Sequence, residues 1–115
     1  MSAPLSEPWS VAPLGNGVTV LHVDANGLGA LNKPAGVLSH PNMRGEEPRA
    51  VLMARYDEEA QCFVWTDDSG AERRLWLLNR LDGATSGVIL LAATEPLARA
   101  IREQFAKKKV RKVYQ

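Results

Sequence analysis

Asn79-Arg80-Leu81-Asp82-Gly83-Ala84-Thr85-Ser86-Gly87 stands between two apolar runs. Leu75-Trp76-Leu77-Leu78 leads in, and Val88-Ile89-Leu90-Leu91-Ala92 leads out. Both runs are short and bounded by turn residues, which reads as a pair of buried strands. Between them lie a cation, a carboxylate, two hydroxyls and two glycines. A hydrophobic core has no use for such a cluster, whereas a loop held between rigid strands is where reactive groups are commonly placed. Gly83 and Gly87 allow turn geometry and the close approach of another molecule. Arg80 and Asp82 stand two residues apart, so on an extended chain they share a face and form a polar pair at the mouth of the sheet. Asp-Gly is also a common hairpin turn, and Thr and Ser often satisfy turn backbone. On its own pattern the stretch therefore supports a plain turn, the commoner use of these residues, as well as a site.

On the C-terminal side, the strand reads over residues 88–93. Thr94 reads as a helix N-cap, with Glu95 and Pro96 in the first turn. Leu97, Ile101 and Phe105 recur every fourth residue beside Ala98 and give one apolar face, while Arg99, Arg102 and Glu103 point elsewhere. This helix is expected to run to about Lys107. Lys107, Lys108, Lys109, Arg111 and Lys112 then concentrate positive charge before Tyr114. Such a run suits a solvated helix C-terminus equally well as backbone phosphates with a stacked base. Alternation from Val110 to Tyr114 predicts a further strand.

On the N-terminal side, residues 62–65 and 74–78 read as a hairpin joined by Thr66-Asp67-Asp68-Ser69-Gly70. Asp67 and Asp68 are expected to form the turn rather than an acid/base pair. Pro48, Val51, Leu52 and Arg55-Tyr56 predict a helix from Pro48 to about Glu59, preceded by Glu46 and Glu47 where its dipole favours them. Residues 18–23 and 28–32 form another predicted hairpin across Asp24-Ala25-Asn26-Gly27. It delivers Lys33-Pro34-Ala35-Gly36 into a loop, where Lys33 is either a solvated lysine or a phosphate contact. His22 and His40 read as structural or exposed, with no spacing that makes either a metal ligand. Residues 1–17 carry three prolines and two glycines and read as an irregular lead-in that Trp9 packs onto the domain. The fold expected is α+β: a mostly antiparallel sheet with two flanking helices.

The 115 residues allow one small domain, and 45% hydrophobic with 23% charged residues is ordinary for a globular chain. A net charge of +1 gives no reason by itself to expect a nucleic-acid partner. The single cysteine, Cys62, excludes an intramolecular disulfide and fits a reducing, cytoplasmic compartment. No transmembrane run and no signal-peptide pattern is evident.

The central stretch resembles the signature of RluA-type pseudouridine synthases. That pattern is His-Arg-Leu-Asp, two variable residues, Thr-Ser-Gly and an apolar strand ending in Leu-Ala. Leu31-Asn32-Lys33-Pro34-Ala35-Gly36-Val37 with His40-Pro41 is similar to the family's first block, and residues 105–114, ending Arg111-Lys112-Val113-Tyr114, to its basic block. The resemblance covers roughly residues 18–115 and shifts the reading from turn to site. It implies the N-terminal portion of a catalytic domain whose second half, with a basic partner for the aspartate, does not follow, so that this chain alone has little activity. It implies conversion of uridine to pseudouridine in rRNA or tRNA, without cofactor or metal. Asp82 matches the catalytic aspartate, and Arg80 the residue that assists base flipping. Tyr114 matches the tyrosine that packs on the uracil, with Lys112 nearby. Thr85, Ser86 and Gly87 shape the loop, and Lys33 lies near the cleft. Asn79 departs from the pattern, standing where the family usually has His. Two alternatives remain open: a non-catalytic RNA-binding fragment or degenerate relative, and a glycoside-cleaving enzyme, which needs a second carboxylate that the sequence does not supply.

Overall fold

The computed structural model describes residues 8–112. Six antiparallel strands form one sheet: β1 (Thr19–Val23), β2 (Leu28–Lys33), β3 (Arg55–Asp57), β4 (Cys62–Thr66), β5 (Glu72–Leu77) and β6 (Gly87–Ala92), in the order β1-β2-β6-β5-β4-β3. One α-helix, α1 (Glu95–Lys112), follows β6. The architecture is α+β, as expected, but only one α-helix occurs among the described residues.

The predicted helix over 48–59 does not form. A single 3₁₀ turn, Glu47–Arg49, is followed by irregular chain and β3. Ala50, Val51 and Leu52 are all completely buried, which no single apolar stripe of a surface helix achieves. The segment is bonded on both edges instead. Val51 N–H donates to Leu38 O at 2.8 Å, Gly15 N–H donates to Val51 O at 2.8 Å, and Met53 N–H donates to Pro13 O at 2.7 Å. Glu46, read as a helix-leading acid, accepts the backbone N–H groups of Asn42 and Met43 at 2.9 Å.

One sheet face carries Leu31, Phe63, Leu75, Leu77, Ile89 and Leu91 and is covered by Trp9, Val18 and residues 50–52. Trp9 ties the lead-in down as expected. Its Nε1 donates to Gly27 O at 2.9 Å, and its ring lies where a β-carbon on Gly29 would stand. The other face packs Leu28, Trp76, Leu90 and Ala92 against Leu97, Ala98, Ile101 and Phe105 of α1. Thr94 caps this helix, its Oγ1 accepting Leu97 N–H at 3.4 Å. Arg102, read as pointing away, instead donates to Leu77 O at 2.9 Å and to Gln61 O at 3.3 Å, fixing α1 to the end of β5. Val110 to Lys112 continue α1, so the predicted strand does not begin there. Asp67 is a turn former. It accepts the Ser69 hydroxyl at 2.5 Å, Arg73 Nε–H at 2.6 Å, and the Ser69 and Ala71 N–H groups, contacts that hold its carboxyl well below the usual range.

Candidate active site

The site opens where β5 and β6 part. Their register ends at Trp76↔Ala92 and Leu77↔Leu91. Leu78 N–H still donates to Leu90 O at 2.9 Å. Beyond it the Asn79 carboxamide takes over from the backbone. Its Oδ1 accepts Leu90 N–H at 2.7 Å, and its Nδ2 donates to Val88 O at 3.0 Å. The ladder partners of β6 are thus satisfied by a side chain, which frees residues 80–86 to leave the sheet without stranding buried donors.

The departing loop is then fastened to the segment after β2. Ser39 Oγ donates to Leu81 O at 2.7 Å and accepts Leu81 N–H at 2.8 Å. Gly36 N–H donates to Gly83 O at 2.7 Å. Lys33, completely buried, donates its three ammonium protons to the carbonyls of Pro34 (3.1 Å), Val37 (2.5 Å) and Gly83 (3.2 Å). Asp82 therefore lies between two residues whose backbone is anchored. Thr85 N–H closes a turn onto Asp82 O at 2.9 Å. The two glycines serve close approach: a β-carbon on Gly83 would lie 3.2 Å from Leu38 Cδ2, and one on Gly87 would lie 2.9 Å from Leu81 Cδ1.

Asp82 and Arg80 line one cavity of about 300 Å³ with Leu38, Ser39, His40, Asn42, Leu81 and Gly83. That volume falls at the lower end of ligand pockets, about 300–1,000 Å³. Asp82 is exposed, and its carboxylate makes no hydrogen bond or ion pair among the described residues. The expected Arg80–Asp82 pair is a pair by cavity only, since no ion pair joins them among the described residues. Burial pushes the Lys33 ammonium below its ordinary value, and the charge of Asp82 opposes that shift. The positive charge stays beneath the loop while the negative one faces the cavity.

The structure thus brings together Asp82, Arg80 and, beneath them, Lys33. Lys33, expected near the cleft, lies enclosed, with all three ammonium donors on carbonyls. Thr85 sits on the exposed turn and does not line the cavity. Lys112 ends α1, while Tyr114 lies outside the described residues. Sequence reasoning missed Ser39 and Asn79 as the fasteners. Each was visible only as a polar residue ending an apolar run, and Ser39 and its partner Leu81 are 42 positions apart. No helix among the described residues is long and apolar enough to cross a membrane.

A family model described as RNA pseudouridylate synthase matches residues 28–115. The dual-specificity RNA pseudouridine synthase RluA of Escherichia coli K12 is 34% identical over 111 residues, 96% of this chain and 41% of that protein. The tRNA pseudouridine synthase C of Pectobacterium carotovorum is 33% identical over 87 residues, 76% of this chain and 20% of its own length. The ribosomal large subunit pseudouridine synthase D of Borreliella burgdorferi is 30% identical over 97 residues, 84% of this chain and 28% of that protein. The chain spans well under half the length of these relatives. No solved structure matches it significantly. With the family model covering most of the chain and the Asp82 loop inside the matched region, the chain belongs to the RNA pseudouridylate synthase family, and to its RluA type.

Proposed function

We propose that the chain carries the aspartate-bearing wall of an RNA pseudouridine synthase acting on uridine in rRNA or tRNA. The observation that carries this reading is the anchored loop. Asp82 is held between Leu81 and Gly83, both bonded to residues 33–39, and lines a polar cavity with Arg80.

The reaction breaks the N1–C1′ glycosidic bond, turns the uracil and joins C5 to C1′; C5 loses its proton and N1 gains one. It is an isomerisation whose atoms balance without a co-reactant. A carboxylate suits it in either of two ways: as a nucleophile at C1′, or as the fixed charge that stabilises a cationic C1′ while a proton moves. Fixing the backbone on both sides of Asp82 keeps the carboxylate in position before the substrate arrives, which is worth rate because the geometry is paid for on folding. Arg80 at the cavity edge suits the space vacated by a base leaving its stack. Lys33 contributes by holding the loop rather than by touching RNA. Residues 18–115 form the N-terminal portion of the catalytic domain in this reading, and Lys112 and Tyr114 are its expected RNA contacts by resemblance. RNA is the partner, and the cytoplasm, where RNA is modified, is the compartment.

A second reading is a non-catalytic RNA-binding role, which the polar cavity and its cation Arg80 also suit. The test is chromatographic separation of pseudouridine from uridine, with mass-spectrometric detection, in digests of RNA incubated with the purified chain and with Asp82→Ala. A low but detectable yield is expected from this chain, and none from Asp82→Ala. Equal product from both proteins refutes the role of Asp82. RNA bound equally by both, without product from either, supports the second reading.

A further inference from the structure

His40 lines the cavity, and the mechanism above gives it no role. Its ring stacks parallel on Tyr56, with centroids 4.6 Å apart and planes 10° apart. Tyr56 in turn meets Phe63 of the core edge-on at 5.1 Å and 62°. The imidazole is therefore anchored through two aromatic contacts to β4, and its plane is fixed. Nδ1 lies 2.9 Å from Pro41 O. A carbonyl oxygen cannot donate, so Nδ1 carries the proton and the neutral ring keeps its lone pair on Nε2. Nε2 makes no hydrogen bond among the described residues, yet His40 lines the cavity that holds Asp82 and Arg80.

The polar inventory of that cavity is unbalanced in a useful way. Arg80 offers donors only, and Asp82 offers acceptors that the reaction uses. Asn42 offers both kinds. In its neutral form the ring adds an oriented and uncommitted acceptor beside them, which fits a hydrogen-bond donor on a bound nucleotide. Uridine brings two such donors, the N3–H of its base and the 2′-OH of its ribose. We propose that His40 is a specificity-determining residue whose Nε2 accepts a hydrogen bond from the uridine nucleotide, an inference that rests on reading the cavity as a uridine site. A rigid acceptor rejects an analogue lacking the donor more sharply than an apolar wall does, because the acceptor is then left unpaired.

The test is a fluorescence-anisotropy titration of labelled hexauridine with the chain. His40→Phe keeps a ring on Tyr56 and removes Nε2, and His40→Gln returns an acceptor. His40→Phe is expected to weaken binding about five- to tenfold, the worth of one hydrogen bond, and His40→Gln to restore part of it. The same titrations with 2′-deoxyuridine and N3-methyluridine hexamers identify the donor: the true one is that whose removal abolishes the effect of His40→Phe. Equal hexauridine affinity for wild type and His40→Phe, with Arg80→Ala still weakening it, overturns the role of His40 and leaves the uridine site standing. No hexauridine binding by the wild type overturns both. Should His40→Phe fail to fold, the imidazole nitrogen-15 spectrum of the wild type decides. The Nε2 resonance is expected to move on adding hexauridine while Nδ1 stays protonated, and an unmoved Nε2 overturns the proposal.

Discussion

Lys33 carries the most structural consequence of any single side chain at the site. Its ammonium is enclosed and meets three carbonyls, one of them Gly83 O directly after Asp82. A buried charge is tolerable only when its donors are satisfied, and here the count matches. Removing the cation leaves buried carbonyls short of a partner. Lys33→Met, similar in length, is expected to destabilise the fold by at least about 2 kcal/mol. Urea denaturation reads this as a lower midpoint at unchanged slope. A change within about 0.5 kcal/mol, the usual effect of a surface substitution, contradicts the bonding described. The sequence could not reveal this. Lysine before proline reads as a surface residue, and only the return of Gly83 from 50 positions away turns it into a buried post.

At the scale of elements, the decisive feature is how β6 keeps its ladder partners after β5 has left. Asn79 supplies them by side chain, with Oδ1 on Leu90 N–H and Nδ2 on Val88 O. Asn79→Ala is expected to cost about 1–3 kcal/mol. Its more telling effect is local: the Leu90 amide should exchange with solvent markedly faster than that of Phe63, whose strand neighbours Tyr56 and Leu75 do not touch Asn79. Equal loss of protection at both amides would point to global destabilisation instead and contradict the local account. Asn79 was legible only as a departure from the resembled pattern, and the structure gives it a backbone-mimicking task. The hairpins and the α1 stripe were legible because their signals are local, in alternation, turn residues and a four-residue repeat. The misread helix at 48–59 has a specific cause. Val51 and Leu52 had helical company in sequence, but Pro13, Gly15 and Leu38 capture the chain on both edges, and such captures leave no periodic trace.

At the scale of the whole molecule, the order β1-β2-β6-β5-β4-β3 inserts β6 between β2 and β5. That insertion makes the site. It carries the end of β2, with residues 33–42, alongside the loop that precedes β6, so Asp82 and Arg80 meet Leu38, Ser39 and His40 across one cavity. The motif around Asp82 was readable at once, whereas the wall opposite it was not. Short-range patterns specify hairpins, and the order in which hairpins join is fixed by core packing over long separations.

The central claim is that the anchored Asp82 cavity is where uridine-containing RNA binds. Amide chemical-shift mapping of the nitrogen-15-labelled chain during titration with hexauridine tests it most directly. The predicted result is a set of concentration-dependent shifts concentrated at residues 36–40 and 80–83, the two walls of the cavity. Shifts that leave both walls unmoved while other surfaces respond would contradict it.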